Sequence, residues 1–151
     1  MKYCLLKKGK LLMTDFYLNE SNVVNRLIEE WKKYGKIIIA YDFDDTVYDF
    51  HEKGRIYNDM VSLLKRCKKV GAYFIVFTAN NDINMIEAYL TGSNIPFDKI
   101  NENMEFIKFT ARKIYYNVLL DDRAGLKSAY DTLLTVVEYM ELERKYERHC
   151  V

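Results

Sequence analysis

Three runs, KIIIAY at 36–41, AYFIVF at 72–77 and YYNVLL at 115–120, are apolar at nearly every position rather than at every second one. A strand with one wet face reads apolar and polar by turns, so such runs belong to strands covered on both sides. That is the habit of a parallel sheet, whose neighbouring strands need long crossover connections. The segments between the runs have this character. Val23, Val24, Leu27, Ile28, Trp31 and Tyr34 share one helical face, which predicts an N-terminal helix over about 21–35 with Ser21 as cap and Gly35 as stop. Met60, Val61, Leu63, Leu64 and Cys67 mark a helix over about 58–70 ending at Gly71, and Ile83, Ile86, Tyr89 and Leu90 mark another over 81–92 closed by Gly92. IPFDKI at 95–100 reads as a short strand, placed early or at an edge by Pro96. Residues 103–112 read as weakly helical, and 125 to about 148 as a long helix.

This alternation predicts an α/β fold: a doubly wound, Rossmann-like three-layer sandwich around a mostly parallel sheet. With 151 residues, half of them hydrophobic and one of them proline, the expectation is a single domain over 1–151. In such a sheet ligands bind beyond the carboxyl ends of the strands, near a switch in strand order. The acids are found there. IIIAYDFDDT at 37–46 passes from buried strand directly into Asp42, Asp44, Asp45 and Thr46; Thr78 and Asn80 follow the second run, and Asp121 and Asp122 follow the last. An Asp-x-Asp after one strand is ordinarily a turn or a helix cap. Polar groups at the ends of three strands make a site. Converging carboxylates repel one another and stay ionised together only around a cation. Oxygen donors suit a hard ion, Mg²⁺, whereas zinc would want Cys and His ligands that the spacing does not offer.

The bulk properties narrow the partners. Lys plus Arg number 23 against 22 for Asp plus Glu, a net charge of +1, so nucleic acid is not favoured as a partner and no charge draws the chain to an anionic membrane. Cys4, Cys67 and Cys150 are odd in number and far apart, which suggests reduced thiols in a cytoplasmic protein. No apolar run approaches the roughly 20 residues of a membrane span, and lysines interrupt MKYCLLKKGKLLMTDF as a signal sequence.

DFDDTV at 42–47, the strand ending in Phe77 and Thr78, a lysine, and LLDDR at 119–123 together resemble the haloacid dehalogenase superfamily of aspartate-based phosphohydrolases. The resemblance covers roughly residues 36–130, with the motifs in the family's order, each behind a suitable strand. It implies that Asp42 is a nucleophile forming an aspartyl-phosphate and that Asp44 is the general acid and base, its backbone carbonyl also a metal ligand. It implies that Thr78 bonds the transferring phosphoryl group, with backbone N–H groups near 43 and 79, and that Thr46 and Asn80 belong to the substrate-binding set. Asp121 and Asp122 would complete the Mg²⁺ site with Asp42 and Asp44; which of the pair touches the metal stays open. The family lysine is Lys113 or Lys108, with Lys113 preferred because it lies just ahead of the last strand. Asp45 stands where the family often has glycine. His51, Arg55 and Arg123 could face a phosphate, although isolated basic side chains in loops are commonly solvated.

Between Thr46 and Thr78 there is room for a short flap at about 47–56, and elsewhere for no inserted cap domain, which resembles the capless members of that family. The implied activity is Mg²⁺-dependent hydrolysis of a phosphomonoester, a nucleotide or sugar phosphate as small-molecule substrate, with a homo-oligomer as one way to close the open site. A polynucleotide-end or protein phosphatase, a non-catalytic phosphate-binding or regulatory module, and a phosphoryl-accepting receiver domain are the alternatives. Asp44 speaks against the last, which has no leaving group to protonate.

Overall fold

A computed structural model describes residues 15–149. Four parallel strands, β1 (Ile38–Tyr41), β2 (Tyr73–Val76), β3 (Lys99–Ile100) and β4 (Val118–Leu120), form one sheet in the order β3-β2-β1-β4. The helices are α1 (Glu20–Tyr34), α2 (Asn58–Lys69), α3 (Ile83–Gly92) and α4 (Leu126–His149). The fold is a Rossmann-like α/β sandwich. Its registers pair Ile39 with Phe74 on one side and with Val118 on the other, so β1 is central and buried along its whole length. No inserted domain interrupts the described residues, and no helix among them is long and apolar enough to cross a membrane.

Strand alternation sorts the core into two unequal parts. Ile37, Ile39, Tyr41, Phe74, Val76, Val118 and Leu120 join one large cluster with Leu27 and Trp31 of α1, Leu63 and Leu64 of α2, Ile86 and Leu90 of α3, and Val136 and Val137 of α4. All four helices therefore cover the same face. The other face, Ile38, Ala40, Ile75 and Leu119, is covered by Met104, Phe106, Ile107, Ile114, Tyr115 and Tyr116. Right-handed crossovers explain the division. The chain steps from β1 to β2 to β3 in one direction, which puts α2 and α3 on one side, and the return from β3 to β4 must cross on the other.

That return differs from its expected form. The weak helix expected at 103–112 is irregular chain, with Asn103 Oδ1 accepting from Tyr115 N at 2.7 Å. A short helix presents one stripe, whereas the whole return from Met104 to Tyr116 lays six apolar side chains on the sheet, and an Asx side chain bonded to backbone competes with a helical turn. The third layer is thus non-helical. Other elements shift in extent: the strand expected over 95–100 is only Lys99–Ile100 at the sheet's edge, and that over 115–120 starts at Val118. Asn19, not Ser21, caps α1, its side chain accepting from Ser21 N at 3.0 Å. Gly35 (φ 68) ends that helix in the left-handed conformation, as expected. Gly92 remains helical, and the left-handed residue beyond α3 is Asn94 (φ 51). Cys67 is a buried free thiol; Cys4 and Cys150 lie outside the described residues.

Candidate active site

Parallel pairing continues one residue past β1. Asp42 N donates to Leu120 O at 2.9 Å and Phe77 N donates to Tyr41 O at 2.8 Å. The first residue after the central strand is therefore held between the end of β2, which leads to Thr78, and the end of β4, which leads to Asp121 and Asp122. This is where strand order switches sides, the position of ligand sites in such sheets. A cleft of about 440 Å³ opens there, lined by Asp42, Asp44, Asp45, Phe50, His51, Phe77, Thr78, Ala79, Asp121, Asp122 and Arg123.

Asp42, Asp121 and Asp122 each bring a carboxylate oxygen within 4.8 Å of the other two. Burial pushes the Asp42 carboxyl up to about 7; the Phe43 N–H opposes the rise, and the charges of Asp121, Asp122 and Asp44 add to it. Asp121 Oδ1 is turned partly to its own loop, accepting from Arg123 N at 2.8 Å. The three acids gather at one point with no cationic partner in an ion pair among the described residues. Oxygen donors left in that state fit a hard divalent ion such as Mg²⁺. Both Asp121 and Asp122 belong to the cluster, the former half-buried and the latter exposed.

Asp44 lies in the same cleft but outside that cluster, its Oδ1 accepting from Asn80 Nδ2 at 3.2 Å. Asn80 is in turn held by its backbone N–H on Thr78 Oγ1 at 3.0 Å, while its Oδ1 accepts from Asp82 N at 2.9 Å. Asn80 thus stands behind the cleft lining, bonded to two of its members, Asp44 and Thr78. Thr78 is clamped at its backbone by Asn101, whose Oδ1 accepts from Thr78 N at 2.9 Å and whose Nδ2 donates to Thr78 O at 2.7 Å. Asn101 stands outside the sequence motifs, though its place immediately after a strand is the signal that marks the other polar groups.

The turn after Asp42 is tight. Phe43 O accepts from Val47 N and Tyr48 N, both at 3.1 Å, and Asp45 takes φ 57. That backbone value favours glycine or Asp, so an aspartate there is tolerated. Phe43 stacks on Tyr48 with centroids 4.9 Å apart, and Tyr89 closes on both rings and donates its hydroxyl to Val47 O at 3.2 Å. The Asp45 carboxylate collects the flap: His51 Nε2 lies at 3.2 Å, Arg55 Nη1 at 3.6 Å, and Tyr57 Oη donates at 3.4 Å. Thr46 and both candidate lysines also fall outside the cleft lining. Thr46 is fully buried in the turn, its hydroxyl without a partner among the described residues, because the tight turn after Phe43 directs it into the core rather than towards a ligand. Lys113 and Lys108 are exposed and line no part of the cleft, and Lys108 Nζ donates to Glu105 O at 3.1 Å. The irregular return from β3 carries Lys113 towards the amino end of β4, whereas the cleft lies at its carboxyl end. Arg123 is the fixed cation that lines it.

No protein-family model matches the chain, and no curated protein does. Among solved structures, a conserved protein from Bacteroides thetaiotaomicron is similar over 58% of this chain and 77% of its own, with 23% identity and a TM-score of 0.47.

Proposed function

We propose that this protein is a phosphomonoester hydrolase of the haloacid dehalogenase type, dependent on Mg²⁺ and acting through Asp42. The observation that carries the reading is the division of labour among the acids: Asp42, Asp121 and Asp122 converge within 4.8 Å, while Asp44 stands apart on Asn80. The converging three, with the Asp44 backbone carbonyl, are the groups that would hold the ion. When bound, it supplies positive charge that offsets repulsion between the carboxylates and a phosphate dianion.

Asp42 attacks phosphorus through a carboxylate oxygen. The new Asp42 oxygen–phosphorus bond forms as the ester oxygen leaves, and Asp44, as general acid, gives that oxygen its proton. Asp44 then takes a proton from water, which attacks phosphorus and releases Asp42 as carboxylate and the product as inorganic phosphate. Asn80 orients Asp44 for both transfers. Thr78 and Ala79 face the cleft where the phosphoryl oxygens would lie, and Arg123 provides the charge that the family's lysine would otherwise bring.

The test is turnover of a generic aryl phosphate with and without Mg²⁺, together with binding of beryllium fluoride as an acyl-phosphate mimic. Turnover without a divalent ion, or undiminished in Asp42→Asn, rules the reading out. A non-catalytic phosphate-binding module is the second reading, favoured by the absence of Lys108 and Lys113 from the cleft. It requires Mg²⁺-dependent phosphate binding and no turnover of any ester.

A further inference from the structure

Two aromatic rings in the cleft have no role in the chemistry above. Phe50 and Phe77 both line it, and both are open to water, at 52% and 38% exposure. A single exposed phenylalanine is unremarkable, but two on the rim of one small cavity present apolar area to whatever enters. They come from different elements. Phe77 follows β2 and is fixed by its backbone bond to Tyr41 O, with the Tyr116 ring 6.2 Å away. Phe50 sits on the flap, whose shape is held in several ways. Phe50 N donates to Tyr48 O at 3.0 Å, Arg55 N donates to Asp49 Oδ2 at 3.1 Å, and the Phe50 ring meets the His51 ring edge-on at 5.1 Å. His51 is itself anchored on Asp45. The flap therefore holds its ring in place before any ligand arrives.

The charge of the cleft limits what accompanies a ring. Five aspartates line it against Arg123 and His51, so beyond the phosphate at the acid cluster it repels further anionic groups. A volume of about 440 Å³ is at the small-molecule end of ligand sites. We propose that Phe50 and Phe77 are specificity residues for a planar base, and that the substrate class is a nucleoside monophosphate rather than a sugar phosphate, a di- or triphosphate or a nucleic-acid end. This rests on the hydrolase reading of the same cleft.

The experiment compares kcat/KM, with Mg²⁺, for nucleoside monophosphates and ribose 5-phosphate, which share sugar and phosphate and differ in the base. Wild type should favour the best nucleotide by about 10-fold or more, the scale of one base–aromatic stack. Phe50→Ala and Phe77→Ala should each reduce that ratio by about 10-fold, Phe50→Tyr should keep it, and a nucleoside triphosphate should be the poorer substrate. A ratio near one in wild type, a ratio unchanged in both alanine variants, or a phosphotyrosine peptide preferred to every nucleotide overturns the proposal. If no ester is turned over, the hydrolase reading fails and calorimetry decides the ring sites separately. Tighter binding of nucleotide than of ribose 5-phosphate, lost in both alanine variants, supports them; equal binding of the two ligands overturns them.

Discussion

Asp42 and Asp45 lie three positions apart in one turn and have opposite surroundings. Around Asp42 stand other acids, and its carboxyl is pushed up to about 7. Around Asp45 stand His51, Arg55 and the Tyr57 hydroxyl. The second arrangement is complete within the chain and ties the flap to the sheet. The first is left short of positive charge at the point where strand order switches, which is the charge that the proposed ion would supply. A carboxylate's neighbours, more than its sequence motif, separate a structural acid from a chemical one.

The sharpest way to break this contrast is to neutralise each acid in turn. Asp42→Asn should lower kcat by about 10³-fold or more, the scale for removing a covalent nucleophile, whereas Asp45→Asn should cost about 10-fold or less by loosening the flap. Steady-state kinetics on an aryl phosphate at saturating Mg²⁺ measures both. Equal losses would abolish the distinction. Asp44 offers a finer cut, because an acid matters most when the leaving group is poor. Asp44→Asn should lose about 10²-fold more on an alkyl phosphate than on a nitrophenyl phosphate, and Asn80→Ala should show a weaker form of the same bias. A loss equal on both esters would assign Asp44 to the metal alone.

Charge at the cleft can be tested on its cations. Arg123→Ala should reduce kcat/KM by about 10-fold, while Lys108→Ala and Lys113→Ala, both outside the cleft, should each change it by less than about 3-fold. A crippled Lys113→Ala would restore the role that the family resemblance implies and would mean that the return segment closes over the cleft when substrate binds.

The strands and the acids were legible in the sequence for the same reason. Runs such as IIIAY and FIV are apolar at both parities because both faces of β1 and β2 are covered, and a polar residue directly after such a run has to emerge at the sheet's edge. Residues 103–116 were not legible, since their apolar positions follow the shape of the sheet surface and have neither helical nor strand period. Thr46 and Lys113 lie outside the cleft lining for a different reason. Their motif positions suggested a role, but where a side chain goes after a left-handed turn or along an irregular return depends on tertiary packing. The His51–Asp45–Arg55 contacts, spread over eleven residues of loop, had no periodicity to reveal them.

The smallest expected effects are on stability, and they separate the two acids without any assay of function. In the absence of divalent ions, the folded protein holds a proton on Asp42 up to about pH 7, whereas the unfolded chain releases it near the ordinary value of 3.8. The native state therefore binds more protons across that window, so this group's contribution is fully present at acid pH and is lost as pH rises through about 7. Asp42→Asn removes a charge that the fold disfavours, and at about pH 8 it should raise Tm by roughly 2–4 °C, what about 1 kcal/mol does in a chain this long. Mg²⁺ should raise the wild-type Tm at that pH and have much less effect on the variant. Asp45→Asn should move the other way, lowering Tm by roughly 1–3 °C at neutral pH, because its charged partners His51 and Arg55 are more than half exposed and such pairs contribute about 0.2–1 kcal/mol. Scanning calorimetry in chelator and then in excess Mg²⁺ gives all four values. Were Asp42→Asn to destabilise the ion-free protein as Asp45→Asn does, the Asp42 cluster would be a satisfied structural feature, and the case for a cation site would fall with it.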